Sequence, residues 1–374
     1  MPKRKAYFIK TFGCQANEAD SEKLAAVFEK KGYKLAKQIG KADVIIINTC
    51  SVRESAENRV FGLINNLSKL KIENCKLKIV LTGCMVGSAV GERRRYSMAE
   101  LRRKLPQVDE FQTIEELVGS EKITPKYREK THAFVPITEG CDHFCSYCVV
   151  PYARGKEKSR PFEEIICEVN GLAKRGYKEI TLLGQNVNSY GKDFNDLNHQ
   201  SETTFARLLK QLQKIKGIKK ISFITSNPWD LTDEIIEAMK LPKIDRYLHL
   251  PVQSGDDGIL KKMNRPYTSK QYIKLVEKIR KEIPNIQIAT DIIVGFPGES
   301  KKAFENTVKL CKKVGFNKAY IAKYSPRPGT AAFKLKDDIS AAEKKHRWQV
   351  LERLINKERF LKVGNFQNLN LPLF

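Results

Sequence analysis

The chain has 374 residues, of which 68 are Lys or Arg and 43 are Asp or Glu, giving a formal net charge of +25. This excess favours a polyanionic partner, nucleic acid first, over an acidic protein or a membrane surface. No run approaches the roughly 18 apolar residues of a membrane helix, and no apolar stretch follows the basic N-terminus. We therefore expect a cytoplasmic chain of two domains, with its cysteines kept as metal ligands or buried thiols rather than disulfides.

Residues 1–118 are predicted to form a small parallel α/β domain. Three apolar, β-branched runs end at Cys14, Cys50 and Cys84, and a helix-like segment follows each of them. The carboxyl ends of parallel strands share one edge of a sheet, where ligands bind. We expect these three cysteines to meet at one site. Burial as small apolar residues is the alternative, but it does not explain a thiol at all three strand ends.

Polar residues beside these cysteines are candidates for hydrogen bonds to a bound group or for helix caps: Asn17, Asn48, Thr49 and Arg53. The remaining cysteines of the chain are expected to be buried thiols without a metal role: Cys75, Cys167 and Cys311.

Residues 119–133 lose the apolar periodicity and predict a linker. Residues 134–360 then alternate strand-like and helical patterns, which implies parallel β/α units. Six such units predict a partial (β/α)6 barrel rather than a closed eightfold one. The predicted strands are 134–138, 179–183, 220–225, 247–250, 287–294 and 318–324.

The loop after the first of these strands carries Cys141, Cys145 and Cys148 in a CxxxCxxC pattern. Three thiolates on one short loop can hold three irons of a [4Fe–4S] cluster and leave the fourth iron open. A zinc site needs a fourth protein ligand, and His143 inside the loop is the candidate. The spacing resembles the radical S-adenosylmethionine (SAM) signature, with Tyr147 at its aromatic position. That resemblance implies that the open iron binds SAM, which one electron then cleaves to a 5′-deoxyadenosyl radical.

Polar loops follow the other barrel strands, on the rim where β/α barrels build their active sites. Candidates to bind the ribose, amino and carboxylate groups of SAM are Gln185, Asn186, Gln253 and Asp291. Glycines at two further rim positions are expected to let the backbone approach the adenine: Gly295 and Gly298.

Basic residues supply candidate contacts to an anionic substrate. Arg154 and Arg160 stand close behind the cysteine loop, and each is a candidate for an active-site anion or for a structural ion pair. Basic clusters elsewhere, among them residues 261–265 and 344–347, are candidates for phosphate contacts or solvated helix faces.

Taken together, the motifs resemble the radical SAM methylthiotransferases over residues 5–360. The motifs are CQANEADS at 14–21, NTCSVR at 48–53, GCM at 83–85, CDHFCSYC at 141–148, VPYARG at 150–155, SRP at 159–161 and SPRPGT at 325–330. Within that family, GQNVNSY at 184–190 and HLPVQSG at 249–255 are most similar to the enzymes that act on dimethylallyladenosine in tRNA.

The resemblance implies methylthiolation at position 2 of the isopentenyladenosine next to the anticodon. Two [4Fe–4S] clusters are implied, one on the CxxxCxxC loop and one on the strand-end cysteines, and SAM serves both as radical source and as methyl donor. The implied partners are the anticodon loop of tRNA, a sulfur donor and a flavodoxin- or ferredoxin-type reductant. The protein is expected to be a monomer that does not bind membranes.

Three other functions remain open. Members of the same family act on threonylcarbamoyladenosine in tRNA or on an aspartate of a ribosomal protein. From a different class, an iron–sulfur electron-transfer protein would have no need of the polar rim loops. Relatives continue into a C-terminal TRAM β-barrel, and residues 361–374 are expected to be only a stub where that barrel would begin, since so short a segment cannot close a barrel.

Overall fold

The computed structural model describes residues 5–52, 54–73, 76–91, 93–119, 123–194 and 203–357. The N-terminal strands are β1 (Ala6–Thr11), β2 (Lys34–Leu35), β3 (Val44–Thr49), β4 (Lys78–Gly83) and β5 (Glu110–Phe111). The helices between and after them are α1 (Gln15–Lys30), α2 (Glu54–Glu73), α3 (Cys84–Gly87), α4 (Met98–Lys104) and α5 (Ile114–Val118).

These elements form a five-stranded parallel sheet in the order β2-β1-β3-β4-β5. Apolar residues of α2 and α4 pack on one face of the sheet, and those of α1 and α5 pack on the other. Because the sheet is covered on both faces, the central strand β3 is buried at every position. The three predicted strands are confirmed, whereas the two-residue edge strands β2 and β5 are too short to leave a sequence pattern.

The C-terminal part contains the remaining strands and helices. Its strands are β6 (His132–Pro136), β7 (Thr138–Glu139), β8 (Lys158–Ser159), β9 (Glu179–Leu183), β10 (Lys220–Phe223), β11 (Tyr247–His249), β12 (Gln287–Val294) and β13 (Lys318–Lys323). Its helices are α6 (Val150–Ala153), α7 (Phe162–Lys174), α8 (Thr204–Leu212), α9 (Asp233–Met239), α10 (Asp257–Lys262), α11 (Ser269–Glu282), α12 (Lys301–Val314) and α13 (Ala341–Leu351), which continues into a π-helical turn (Glu352–Lys357).

Six of these strands run parallel in an open arc, as the alternation of strands and helices predicts. Strands β6, β9 and β10 form one three-stranded sheet, and β11, β12 and β13 form another. A single bridge between Ile221 and Ile244 joins β10 to the segment before β11. One apolar core lies between the arc and its surrounding helices. The predicted partial barrel is therefore present, with a weak seam at its middle.

The short antiparallel pair of β7 and β8 was not predicted. It pairs Thr138 with Ser159 and Glu139 with Lys158, and it closes the base of the loop that carries Cys141, Cys145 and Cys148.

The segment between the two parts is extended and fastened to α1. The backbone N–H of Arg128 donates to the Glu22 carboxylate at 2.8 Å, and the N–H of Lys126 donates to the Glu22 carbonyl at 3.0 Å. The first barrel strand begins at His132, two residues before the predicted Phe134, because Ala133 already packs into the core. Residues 120–122 lie outside the described residues.

Ion pairs and hydrogen bonds join the two parts directly. Arg327 donates to the Glu57 carboxylate and to the Ser51 carbonyl, both at 2.7 Å. Arg95 donates to the carbonyl of Pro328 at 2.8 Å. The loop after β13, which carries the SPRPGT motif, is thereby held against the segments that follow Cys50 and Cys84.

In the described part of the chain, no helix is both long enough and apolar enough to cross a membrane. The expected stub at residues 361–374 lies outside the described residues, as do Arg53 and Cys75.

Candidate active site

The strand-end cysteines lie at the carboxyl edge of the N-terminal sheet, as predicted. Cys14 is the N-cap of α1, Cys50 follows β3 directly, and Cys84 is the first residue of α3. Cys50 and Cys84 are buried and Cys14 is half-buried. Burial raises the pKa of the Cys14 thiol; nearby Arg154 opposes this shift, and Cys84 adds to it.

A buried hydrogen-bond network ties these strand ends together. The Asn17 amide donates to Asn48 Oδ1 and to the Thr49 carbonyl, both at 3.1 Å, and Asn48 donates back to the Asn17 carbonyl at 2.8 Å. The Thr49 hydroxyl donates to the Thr82 carbonyl and accepts from the N–H of Met85. These side chains, predicted as candidate ligand contacts, serve to fix the three cysteines relative to one another.

The second trio is held by the loop between β7 and α6. The N–H of Cys141 donates to the Gly155 carbonyl at 3.2 Å. Gly140 adopts a φ of +73°, and a Cβ at that position would stand 2.0 Å from the carbonyl oxygen of Lys156. Only glycine permits this close approach of the two chain segments, so the loop geometry requires glycine at position 140, directly before Cys141.

Arg265 is a buried cation beside this trio. Its Nη1 lies 3.6 Å from the Cys145 sulfur, and its Nη2 donates to the Pro251 carbonyl at 2.8 Å. The guanidinium also stacks on Trp229, 4.5 Å from the ring centroid. The sequence placed Arg265 in a basic cluster, for which a phosphate contact or a solvated helix face was expected, but only 7% of its surface is exposed. Nothing local in the sequence distinguishes it from its exposed neighbours.

A second polar cluster, which the sequence did not reveal, fixes the rim beside the cysteine loop. Asp230 accepts hydrogen bonds from Asn186 at 2.7 Å and from Lys192, and its other contact is His143 Nε2 at 3.2 Å. Burial alone would raise the pKa of Asp230, but hydrogen bonds from His143, Lys192 and Asn186 lower it to about 2. His143, considered above as a zinc ligand, is thus directed at Asp230.

Two of the predicted SAM contacts are brought together by the backbone. The N–H of Gln253 donates to the Asp291 carbonyl at 2.8 Å, and Gln253 adopts a φ of +65°. The Asp291 carboxylate is 3.2 Å from His249 Nε2. Near Asn186, the Gln185 amide oxygen is buried and has no hydrogen-bond partner among the described residues. Unpartnered buried oxygens of this kind are consistent with a bound ligand.

The two predicted adenine-contact glycines lie against lysine side chains. Gly295 and Gly298 have φ values of +68° and +77°. A Cβ at Gly295 would stand 2.3 Å from Lys344 Cγ, and one at Gly298 would stand 2.2 Å from Lys262 Nζ. The aromatic position Tyr147 packs against an apolar cluster that contains Phe296 and Met263.

Both arginines behind the cysteine loop bind groups within the chain. Arg154 donates to Asp20 at 2.7 Å and to Glu139 at 3.1 Å. Arg160 donates to Glu168 at 2.7 Å and to the Pro136 carbonyl at 2.6 Å. Their contact with a substrate anion stays a prediction.

The donor chemistry of both trios fits an iron–sulfur cluster. Backbone N–H groups point at cysteine sulfurs, from Val52 to Cys50 and from Val150 to Cys148, each at 3.4 Å. Such bonds to sulfur are typical of cluster ligands. Burial raises the pKa of Cys141 and of Cys148 to about 12. Without a metal these thiols therefore keep their protons, and metal binding displaces them. Across the described residues, no three His, Cys, Asp or Glu side chains stand in a metal-binding arrangement, so the fit rests on this chemistry.

Two of the remaining cysteines can be placed. Cys311 is buried in the barrel core, as predicted, whereas Cys167 is exposed on α7. The helical pattern around Cys167 predicted burial, but the residue lies on the face of α7 opposite its buried residues Ile165, Val169 and Leu172.

Cavities distinguish the cysteine region from the outer wall of the barrel. A cavity of about 390 Å³ is lined by Cys84 and Arg154, together with Arg93 and Lys156. A larger groove of about 760 Å³ runs between α7 and α8, but no cysteine lines it. The smaller cavity is therefore the one that opens beside a strand-end cysteine, Cys84.

Comparison with known proteins defines the class first. Residues 135–311 match the model of the radical SAM superfamily, and residues 6–105 match an uncharacterised protein family designated UPF0004. The fold is similar to that of the radical SAM methyltransferase TsrM from Kitasatospora setae, with a TM-score of 0.57 and 12% identity over 88% of this chain and 75% of that one. The protein is a radical SAM enzyme.

Curated relatives narrow the class to a family. A tRNA-2-methylthio-N(6)-dimethylallyladenosine synthase from Thermoanaerobacter sp. (strain X514) is 46% identical, over 94% of this chain and 78% of its own length. The enzyme of the same name from Clostridium tetani is 43% identical, over 94% and 81%. The chain belongs to the family of tRNA-2-methylthio-N(6)-dimethylallyladenosine synthases. Enzymes of this family use SAM and two [4Fe–4S] clusters.

Proposed function

We propose that this protein methylthiolates position 2 of isopentenyladenosine next to the anticodon in tRNA. The observation that carries the reaction type is the pair of separate cysteine trios, one at the edge of the N-terminal sheet and one on the barrel rim. The substrate is supported by the names of the relatives that are 43% and 46% identical. Two different operations, radical formation and sulfur insertion, need two sites, and each trio leaves one iron of its cluster without a protein ligand. No observation favours threonylcarbamoyladenosine or a ribosomal aspartate as the substrate.

The cysteines divide between the two operations. Cys141, Cys145 and Cys148 hold the cluster at the barrel rim, and Cys14, Cys50 and Cys84 hold the second. When bound, these groups supply the electron that cleaves SAM and the sulfur that enters the base. Arg265 holds the Cys145 sulfur in place from one side.

The rim side chains bind SAM. Asp291 lies within β12 and Gln253 follows β11, and the two are joined by a backbone hydrogen bond. Both are assigned to the ribose, amino and carboxylate groups of SAM. Asn186, held by Asp230, and Gln185, with its unpartnered oxygen, face the same rim. Tyr147 packs against the apolar cluster of Phe296 and Met263, and Gly295 and Gly298 remain the proposed backbone contacts of the adenine.

The proposed reaction also needs protein partners. A flavodoxin- or ferredoxin-type protein supplies the electron, and a separate donor renews the sulfur. The protein works as a monomer in the cytoplasm. Its domains are the methylthiotransferase N-terminal domain at 1–118, the linker at 119–133 and the radical SAM core at 134–360.

Iron analysis of the anaerobically reconstituted protein tests the two-site assignment. We expect about eight irons per chain, and about four after Cys50→Ala, because the second trio then lacks a ligand. Cys167→Ser, an exposed thiol on α7, is the matched control and should keep all the iron. Four irons in the unchanged protein, with no loss on Cys50→Ala, would rule out the second cluster.

A further inference from the structure

Arg154 stands where the two cysteine trios approach each other. It follows α6 directly, six residues after Cys148. Its neighbour Gly155 accepts the backbone hydrogen bond of Cys141. The backbone of Arg154 is therefore part of the loop structure that holds the rim trio.

The side chain of Arg154 reaches in the other direction, to the helix that Cys14 caps. Its Nη2 donates to Asp20 of α1 at 2.7 Å, and both side chains are more than nine-tenths buried. Its Nη1 donates to Glu139 at 3.1 Å, two residues before Cys141. One planar guanidinium thus bridges a carboxylate beside each trio, which is the forked geometry that arginine provides and lysine does not.

The third strand-end cysteine is tied to the same point through the backbone. Gly87, at the end of the helix that Cys84 begins, lies so close to α6 that a Cβ there would stand 2.0 Å from the carbonyl oxygen of Ala153. Helices α3 and α6 therefore meet without any side chain between them, immediately before Arg154.

The charged groups around the Arg154 guanidinium are consistent with its position between the two trios. Burial alone would lower the pKa of Arg154, but Asp20, then Cys84, Glu139 and Cys14, outweigh burial and hold the pKa well above its ordinary value. The cation is paired with one carboxylate from each part of the chain, Asp20 and Glu139.

We propose that Arg154 is a positioning residue that fixes the separation and orientation of the two cysteine trios, so that the radical formed at one site is used at the other. This inference depends on the proposed function in one respect: it assumes that both cysteine trios serve the same reaction. Of the two roles predicted for Arg154 from the sequence, an active-site anion contact and a structural ion pair, it develops the ion pair.

Arg154→Gln tests the proposal in the anaerobically reconstituted full chain, because it removes both ion pairs and keeps most of the side-chain length. We expect unchanged iron content and SAM cleavage within about twofold of the unchanged protein. The amount of methylthiolated nucleoside per 5′-deoxyadenosine should fall by about tenfold, a loss typical of a misplaced reacting centre. The magnetic interaction between the two reduced clusters, read from their electron paramagnetic resonance spectra, should weaken.

Two further variants complete the test. Arg154→Lys keeps the charge but not the fork, and we expect an intermediate loss of coupling between SAM cleavage and product. Arg246→Gln removes a guanidinium that binds the carbonyls of Met239 and Lys240 in the barrel, and it should change neither readout.

The proposal is overturned if Arg154→Gln leaves both the product ratio and the magnetic interaction unchanged. It is also overturned if Arg154→Gln and Arg154→Lys both lose the iron of the second cluster, since the residue would then only support that site. If the unchanged protein makes no methylthiolated nucleoside, the proposed function fails, and the magnetic interaction alone still decides the role of Arg154.

Discussion

Arg265 shows how a single side chain can act on a cluster without binding iron. Its guanidinium is buried against Trp229 and Tyr267 and directs one N–H toward the Cys145 sulfur. Hydrogen bonds and positive charge near cluster sulfur favour the reduced state, because reduction adds negative charge. We infer that Arg265 would make a cluster held by the rim trio easier to reduce.

Arg265→Gln is expected to lower the midpoint potential of the rim cluster. Loss of the cation and its N–H should shift the potential by roughly 60 mV to more negative values, about tenfold in the one-electron equilibrium. A redox titration followed by electron paramagnetic resonance measures the shift. Arg246→Gln is again the matched control. An unchanged potential in a fully loaded Arg265→Gln protein would contradict this role.

Arg265 also marks the limit of what the sequence could predict at the level of residues. The six cysteines could be placed because each follows a local pattern, either a strand end or a short spacing. The contacts of Arg265 with Cys145, of Arg154 with Asp20 and of Asn186 with Asp230 join residues 120, 134 and 44 positions apart. No local sequence pattern encodes such pairs, so a buried arginine within a basic cluster is predicted to lie on the surface.

At the scale of elements, α1 and the extended segment after residue 122 are joined through Glu22. One oxygen of its carboxyl accepts the N–H of Arg128, and the other is buried without a hydrogen-bond partner in the described structure. Burial raises the pKa of Glu22 from 4.5 to about 7, although the hydrogen bond from Arg128 opposes the shift. The folded protein therefore binds a proton at Glu22 that the unfolded chain releases.

The sign of the resulting pH dependence follows from the raised pKa. Ionised Glu22 costs no stability below pH 4.5; the cost grows as the pH rises and reaches its full value above about pH 7. Glu22→Gln keeps the acceptor for Arg128 and removes the charge. We expect the variant to exceed the unchanged protein in unfolding free energy by about 1 kcal/mol at pH 5 and by about 3 kcal/mol at pH 8.

Anaerobic urea unfolding at the two pH values measures this difference. Glu305→Gln, at an exposed position on α12, is the control. Its unfolding free energy relative to the unchanged protein should be the same at pH 5 and pH 8. If the advantage of Glu22→Gln were the same at pH 5 and pH 8, Glu22 would not be the titrating group.

The strands illustrate which parts of the fold a sequence can define. Strands β9 and β12 begin and end where the β-branched runs predict, and each run ends at a glycine, Gly184 or Gly295. The pair of β7 and β8 was missed, since two residues pairing across the cysteine loop carry no periodicity. The division of the arc between β10 and β11 was also missed, because tertiary packing decides whether two neighbouring strands pair.

At the scale of the whole molecule, the two parts form a continuous structure around the cysteine region. Arg327 from the barrel binds Glu57 and the Ser51 carbonyl beside Cys50, and Arg154 binds Asp20 of α1, the helix that Cys14 caps. The net charge of +25 suits a tRNA substrate, whose phosphates favour a basic surface. Under the proposed function, sulfur supply and radical formation take place in the same enzyme, and we expect no methylthiolated product when either trio is lost.

The most direct test of this account is nucleoside mass spectrometry of tRNA after reaction with the purified, reconstituted protein. The substrate is tRNA that carries isopentenyladenosine, supplied with SAM, a reductant and a sulfur source. We predict methylthio-isopentenyladenosine from the unchanged protein and from Cys167→Ser. Cys14→Ala should still cleave SAM but give none of this nucleoside. Methylthiolation of threonylcarbamoyladenosine instead, or undiminished product from Cys14→Ala, would contradict the account.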